Sequence, residues 1–317
     1  GEFLDIEAGD TTEHAYGMAF DIGTTSIVGS LVDLRTGEQL ASVGNVNPQA
    51  VFGGDLMSRI AFAQFEPQNL AKLRARVVGA INNHIRDACA EAGVDANHIY
   101  KLVVVGNTCM HHIFLGIDPT YVGFAPYAPV VRDSVVLPAR DVLLKAVPNA
   151  RVCLLPIVAG FVGADAMAVV LATRIYDSKE IRALVDIGTN GEMVMGSRDG
   201  LMACSAPAGP ALEGAQIRHG MRGAVGAIEK VAIINDDVEC GVIGNAPAIG
   251  LCGSGLVDAA AKMLDAGVLN AAGRMTAPGD DSLPPALRAR VIEKDDERQF
   301  VLTWAAQSGN DQDITLT

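Results

Sequence analysis

Apolar residues fall into two rhythms along this chain. Short alternating or continuous runs at 19–22, 26–34, 102–105 and 152–155 read as strands, bounded by glycine, proline or polar turn residues. Leu70, Leu73, Val77, Ile81, Ile85, Ala88 and Ala92 instead recur every three or four positions. That spacing predicts a long amphipathic helix, with Gly93 as its left-handed stop. Gly53-Gly54-Asp55 opens a shorter helix over 56–65. Gly106-Asn107-Thr108 bends the 102–105 strand into the segment 110–115. Residues 166–175 form an apolar helix, and Asp177-Ser178-Lys179-Glu180 marks a boundary. Leu256, Ala260, Leu264 and Val268 predict the packed face of a later helix.

The same short phrase occurs twice. Phe20-Asp21-Ile22-Gly23-Thr24-Thr25-Ser26 is matched by Val185-Asp186-Ile187-Gly188-Thr189-Asn190-Gly191, each between an apolar strand and a second extended run. The far turns match as well: Arg35-Thr36-Gly37-Glu38 follows the first copy and Arg198-Asp199-Gly200 the second. A strand that delivers an aspartate to its end, then a glycine turn with amide and hydroxyl donors, suits a phosphate–metal unit. A single copy fits an ordinary hairpin turn equally well. Two copies predict a duplicated α/β core, and neither is the Gly-x-Gly-x-x-Gly turn of a Rossmann sheet.

Length and charge narrow the choice of partner. With 317 residues, half of them apolar, the chain divides most naturally into two domains. We place a leader or linker at 1–16, a first lobe at 17–178 and a second at 179–317. The leader's Gly1-Glu2-Phe3 has the look of a cloning scar. A net charge of -13 argues against nucleic acid or an anionic membrane as partner. No signal peptide is evident, and a cytoplasmic location with reduced thiols is expected. The six cysteines are too dispersed for a cluster motif. Cys109-Met110-His111-His112 gathers three metal-ligand types, but adjacent histidines diverge on a helix, and packing is the favoured role. The Gly-, Pro- and aromatic-rich stretch 116–129 reads as a loop buried by its own rings rather than a ligand platform.

Several longer phrases carry a resemblance. They are Gly106-Asn107-Thr108-Cys109-Met110-His111-His112, the run 156–165 ending Gly163-Ala164-Asp165, and Asp186-Ile187-Gly188-Thr189-Asn190-Gly191-Glu192. The run 206–214 and Gly250-Leu251-Cys252-Gly253-Ser254-Gly255-Leu256 extend it over nearly the whole chain. Together they resemble the acetate/sugar kinase–Hsp70–actin superfamily, and within it the ATPase-like domain of the RamA-like reductive activators of corrinoid enzymes. The resemblance implies a duplicated actin-like, ribonuclease H-like two-lobed ATPase fold. It also implies ATP-dependent support of Co(II) to Co(I) reduction, on a corrinoid protein of a methyltransferase or O-demethylase system. The electrons would come through a [2Fe–2S] module upstream, for which this chain carries no four-cysteine segment. The later Gly-rich adenosine-contacting motif also lies past Thr317, and a homodimer is left open.

On that reading Asp21, Gly23, Thr24 and Thr25 form one side of an ATP site, and Asp186, Gly188, Thr189 and Asn190 the other. Asp21 and Asp186 would hold Mg²⁺ through water. Asp165 and Glu192 are candidates for orienting water. Glu213 could meet a ribose hydroxyl, although a structural turn is favoured, and Gly253, Ser254 and Gly255 would allow close approach at an interlobe connection. Two other functions remain in view: a small-molecule kinase with Asp165 as base, and a noncatalytic nucleotide-binding assembly module.

Overall fold

The computed structural model describes residues 6–188, 190–207, 209–214, 217–221, 223–294 and 296–317. By packing, the chain separates into two units, Gly1–Asp186 with Glu192–Ala206, and Ile187–Gly191 with Pro207–Thr317.

The first unit is built on a mixed sheet. Strands β1 (Tyr16–Ile22), β2 (Ser26–Asp33) and β3 (Gln39–Val46) form an antiparallel meander. Helices α1 (Leu56–Phe65) and α2 (Asn69–Ala92) then lead to β4 (Ile99–Gly106), which pairs in parallel with β1. After α3 (Thr108–Leu115) come β5 (Val135–Pro138), β6 (Arg151–Leu154) and α4 (Ala164–Thr173). The sheet order is β3-β2-β1-β4-β6-β5, with β4 and β6 parallel and β5 antiparallel on the edge. The parallel pairing of β1 and β4 brings Ile22 opposite Gly106, so both strands end at the same edge of the sheet.

Local chemistry accounts for these elements. Asp55 caps α1 by accepting from Ser58 N–H at 2.8 Å, while the Ser58 hydroxyl lies 3.2 Å from Asp55 N, closing a reciprocal box. Leu73, Val77, Ile81, Ile85 and Ala88 bury the stripe of α2 against β2 and β3. Gly93 ends it at φ 68°, with its N–H on Cys89 O. Helix α4 starts two residues before the sequence expectation because Gly163 seats it on the end of β4. A Cβ there would lie 2.6 Å from both Asn107 Cα and Gly106 O.

Strands β7 (Arg182–Ile187), β8 (Asn190–Ser197) and β9 (Gly200–Pro207) make a second sheet, in that order. Leu184 and Val194 close a small core with Val170 of α4 and with Ile175.

In the second unit, β10 (Ala227–Ile234), β11 (Asp237–Val242) and β12 (Gly250–Leu251) form a sheet of order β11-β10-β12. Helix α5 (Gly253–Asp265) packs on β10. Helix α6 (Pro285–Arg290) precedes the sheet of β13 (Val291–Lys294), β14 (Glu297–Thr303) and β15 (Ile314–Leu316). Ile228, Leu251, Met263, Leu287 and Phe300 share one core.

Two expectations fail here. Helix α5 buries Gly255, Ala259 and Met263, whereas Leu264 is half exposed. Of the predicted stripe, Leu256 and Val268 pack into the core of the second unit, while Ala260 and Leu264 face out. Gly255 decides this, because its bare backbone comes so near β10 that a Cβ would lie 2.2 Å from Ile228 O. The 116–129 loop does not bury its rings either: Tyr121, Phe124 and Tyr127 are all exposed. Val122 is the side chain that enters the core, and Tyr127 meets Phe161 edge-on at 5.0 Å.

Candidate phosphate and carboxylate site

The turn after β1 is held from behind by its carbonyls. Asn47, wholly buried, donates from Nδ2 to Gly23 O at 2.8 Å and from its backbone N–H to Thr25 O at 2.9 Å. Buried Arg59 donates from Nη2 to Thr24 O and from Nε to Gly53 O. In a trans peptide the carbonyl and the following N–H point in opposite directions. With the Gly23 and Thr24 carbonyls drawn into the protein, the N–H groups of Thr24 and Thr25 turn the other way. This is the arrangement that presents backbone donors to an anion. Gly23 is obligatory, since a Cβ would sit 2.8 Å from Ser26 O.

Neither Asn47 nor Arg59 was legible as a support of this turn. Asn107 was visible only as part of a phrase. Its Nδ2 donates to Thr24 Oγ1 at 3.0 Å, while its Oδ1 accepts from Met110 N and caps α3.

Four acidic groups of the first unit interact electrostatically: Asp21 on β1, Asp165 in the first turn of α4, Asp186 near the end of β7 and Glu192 on β8. Asp21 keeps an open side to solvent, yet enclosure by the surrounding protein, with Asp186 nearby, raises its pKa to about 6. Burial raises Asp165 to about 7. The Ala166 N–H it accepts at 2.8 Å opposes that shift, and the charges of Asp21, Glu192 and Asp186 add to it. Glu192 is raised chiefly by burial, against a 3.1 Å hydrogen bond from Ser205 Oγ. Negative charge gathered in this way is relieved by a cation.

Among the described residues, no group of three His, Cys, Asp or Glu side chains could hold a metal ion by itself. The set fits a hydrated dication held through water by one or two carboxylates and by phosphate, which is the usual habit of Mg²⁺.

The second copy of the phrase is not equivalent to the first. Gly188 N–H bonds Asn190 O at 3.0 Å, but a Cβ on Gly188 would make only ordinary contact, 3.7 Å from that oxygen. Gly188 and Asn190 group with the second unit, and Thr189 lies outside the described residues. The second unit also contains Gly253, Ser254 and Gly255, the first turn of α5, and Glu213, which closes a short 3₁₀ turn and whose side chain lies outside the described set. Gly253 presses on that turn so closely that a Cβ would fall 1.8 Å from Leu212 O.

Cys109, His111 and His112 are buried on α3. The His112 ring bonds Thr108 O through Nδ1 at 2.8 Å and accepts Val130 N–H at Nε2 at 2.9 Å, so it spends both nitrogens on structure. Burial pushes the Cys109 thiol up to about 12, far from a reactive thiolate. All six cysteines are free thiols, three of them buried. No helix among the described residues is long and apolar enough to cross a membrane.

The family described as the RACo middle region matches residues 16–178, and the C-terminal domain of RACo, the ASKHA domain, matches residues 180–317. The chain belongs to the RACo family. Over 312 residues it is 36% identical to the corrinoid activation enzyme RamQ of Eubacterium limosum, covering 98% of this chain and 52% of RamQ. It is 31% identical over 222 residues to the [Co(II) methylated amine-specific corrinoid protein] reductase of Methanosarcina barkeri, covering 67% of this chain and 40% of that protein. A solved reductive activator for corrinoid, iron-sulfur protein superposes with a TM-score of 0.85 at 41% identity, covering 98% of this chain and 49% of that one. The chain thus spans 40–52% of the length of these three proteins, and its fold is that of the acetate/sugar kinase–Hsp70–actin class.

Proposed function

We propose that this chain is the ATP-responsive part of a reductive activator of corrinoid proteins, in which nucleotide binding supports reduction of Co(II) to Co(I). The observation that carries this reading is the set of four mutually repelling carboxylates beside a turn whose carbonyls are all drawn inward. The named activities of its relatives supply the corrinoid partner.

In this reading Asp21 and Asp186 hold hydrated Mg²⁺ through water, and the N–H groups of Thr24 and Thr25 receive phosphate oxygens. Asp165 and Glu192 orient water or take up a proton as the charge around them changes. Mg²⁺–ATP, when bound, supplies a binding and hydrolysis free energy that favours one conformation over another. The electrons arrive through an iron–sulfur module of the full-length activator and go to a corrinoid protein of a methyltransferase or O-demethylase system.

The test is reactivation of a Co(II) corrinoid protein by the full-length activator, with visible absorption reporting Co(I). Rates that are the same with and without Mg²⁺–ATP overturn the coupling role. One observation favours a second reading: a carboxylate raised to about 7, as Asp165 is, suits the general base of a small-molecule kinase. Phosphorylation of a metabolite with no corrinoid protein present would select that alternative.

A further inference from the structure

The β13-β14-β15 sheet has two different faces. Phe300 and Leu302 of β14 and Ile314 of β15 join the apolar core of the second unit. On the opposite face Gln299 and Thr315 are polar and nevertheless 2% and 4% exposed. Polar side chains at such depth usually answer to a built network. Here Thr315 Oγ1 donates to Gln299 Oε1 at 3.1 Å, and Gln299 Nε2 donates to Lys294 O at 3.2 Å. The Gln299 amide still carries a second N–H.

This polar pair contributes to the lining of a cavity of about 460 Å³, within the size range of small-molecule sites. Its walls bring the cations Arg218 and Lys294 together with the imidazole of His219, in a chain whose net charge is -13. The wall is fixed in place. His219 O accepts Leu251 N–H at 2.8 Å, and Arg218 is oriented at the rim by a 2.9 Å ion pair with Glu297. Asp313, tied to Ala305 N–H at 2.7 Å, and exposed Asp311 line the same space.

We infer that this cavity binds a small metabolite with an oxyanion at one end and hydroxyl or ammonium donors at the other. Arg218, His219 and Lys294 receive the oxyanion, while Asp311, Asp313 and the Gln299–Thr315 pair take the polar body. Burial, then the charges of Arg218 and Lys294, hold the His219 imidazole toward its neutral form, against the pull of Asp313. An oxyanion entering between these groups adds negative charge beside the imidazole, favours its protonated form and so turns His219 into a third cationic donor. The site lies within the second unit and uses none of the residues assigned above to phosphate or Mg²⁺.

The probes are ribose 5-phosphate and glutamate, which carry the same chemistry from a sugar phosphate and from an amino acid, with ribose as the control lacking an oxyanion. The readout is the ring resonances of His219 in histidine-labelled chain, assigned with His219→Gln. At least one probe is expected to shift these resonances saturably and to move the titration of His219 to higher pH, whereas ribose does not. Lys294→Glu, a change at an exposed side chain, is expected to weaken binding about tenfold or more. Asp186→Ala is expected to leave it intact, which separates this site from the nucleotide reading. No saturable shift with either probe, an equal shift with ribose, or undiminished binding in Lys294→Glu overturns the inference.

Discussion

The side-chain amide of Asn107 donates a 3.0 Å hydrogen bond to Thr24 Oγ1, joining the first turn of α3 to the loop that follows β1. The same residue caps α3 through its other atom, Oδ1, on Met110 N. Two substitutions separate the roles. Asn107→Asp keeps the capping oxygen and loses the donor, whereas Asn107→Ala loses both. The alanine variant is expected to cost about 1 kcal/mol in a urea melt, and the aspartate variant less. Both are expected to weaken Mg²⁺–ATP binding in an equilibrium assay. If aspartate binds nucleotide as well as the native chain, the Thr24 contact has no part in the site.

The two phosphate phrases differ sterically, and alanine reads the difference. Gly23→Ala forces a Cβ to within 2.8 Å of Ser26 O, while Gly188→Ala meets nothing closer than 3.7 Å. Chemical denaturation is expected to show a loss of about 1–3 kcal/mol for the first, the usual cost of overpacking, and less than about 1 kcal/mol for the second. Equal losses would contradict the geometry of the first turn.

Changing Asp21 or Asp186 to Ala in the full-length activator is expected to weaken Mg²⁺-dependent nucleotide binding strongly, and Glu180→Ala to leave it nearly unchanged. Glu180 is an exposed residue ahead of β7 and takes no part in the carboxylate cluster. Isothermal titration distinguishes the three, and similar responses would remove the two aspartates from the site.

Asp165 makes stability depend on pH in a definite direction. Its pKa is about 7 in the fold against 3.8 for an ordinary aspartate side chain, so the folded state holds a proton that the unfolded state has released. Stability from this group is complete below about pH 4 and is lost as pH rises toward 7. Without divalent cations, Asp165→Asn is expected to stabilise the chain by about 1–2 kcal/mol at pH 8, allowing for partial solvent access, and to change little at pH 4. Thermal melts at both pH values check the sign. A variant less stable than the native chain at pH 8 would contradict it.

The sequence by itself determined the elements whose causes are local. The stripe from Leu73 to Ala88, the Gly93 stop, the Asp55 start of α1 and the β1–β2 hairpin follow from periodicity and turn chemistry within a few residues. The repeated Asp-Ile-Gly-Thr phrase and the longer motifs also placed the chain in its fold class. Tertiary structure decided what depends on residues far apart in sequence. Ala260 and Leu264 looked like part of the packed stripe of α5 with Leu256, but the approach of Gly255 to Ile228 O turns Ala259 and Met263 inward in their place. Arg59 and Asn47 give no sequence sign that they hold the carbonyls of Gly23 and Thr24, because that contact exists only once α1 and the end of β3 reach the turn after β1. Asp165, on α4, likewise gains its raised pKa from burial and from carboxylates on three strands. Hydrophobic period and turn chemistry act over a few residues, whereas desolvation, charge repulsion and backbone approach depend on distances that only the folded chain creates.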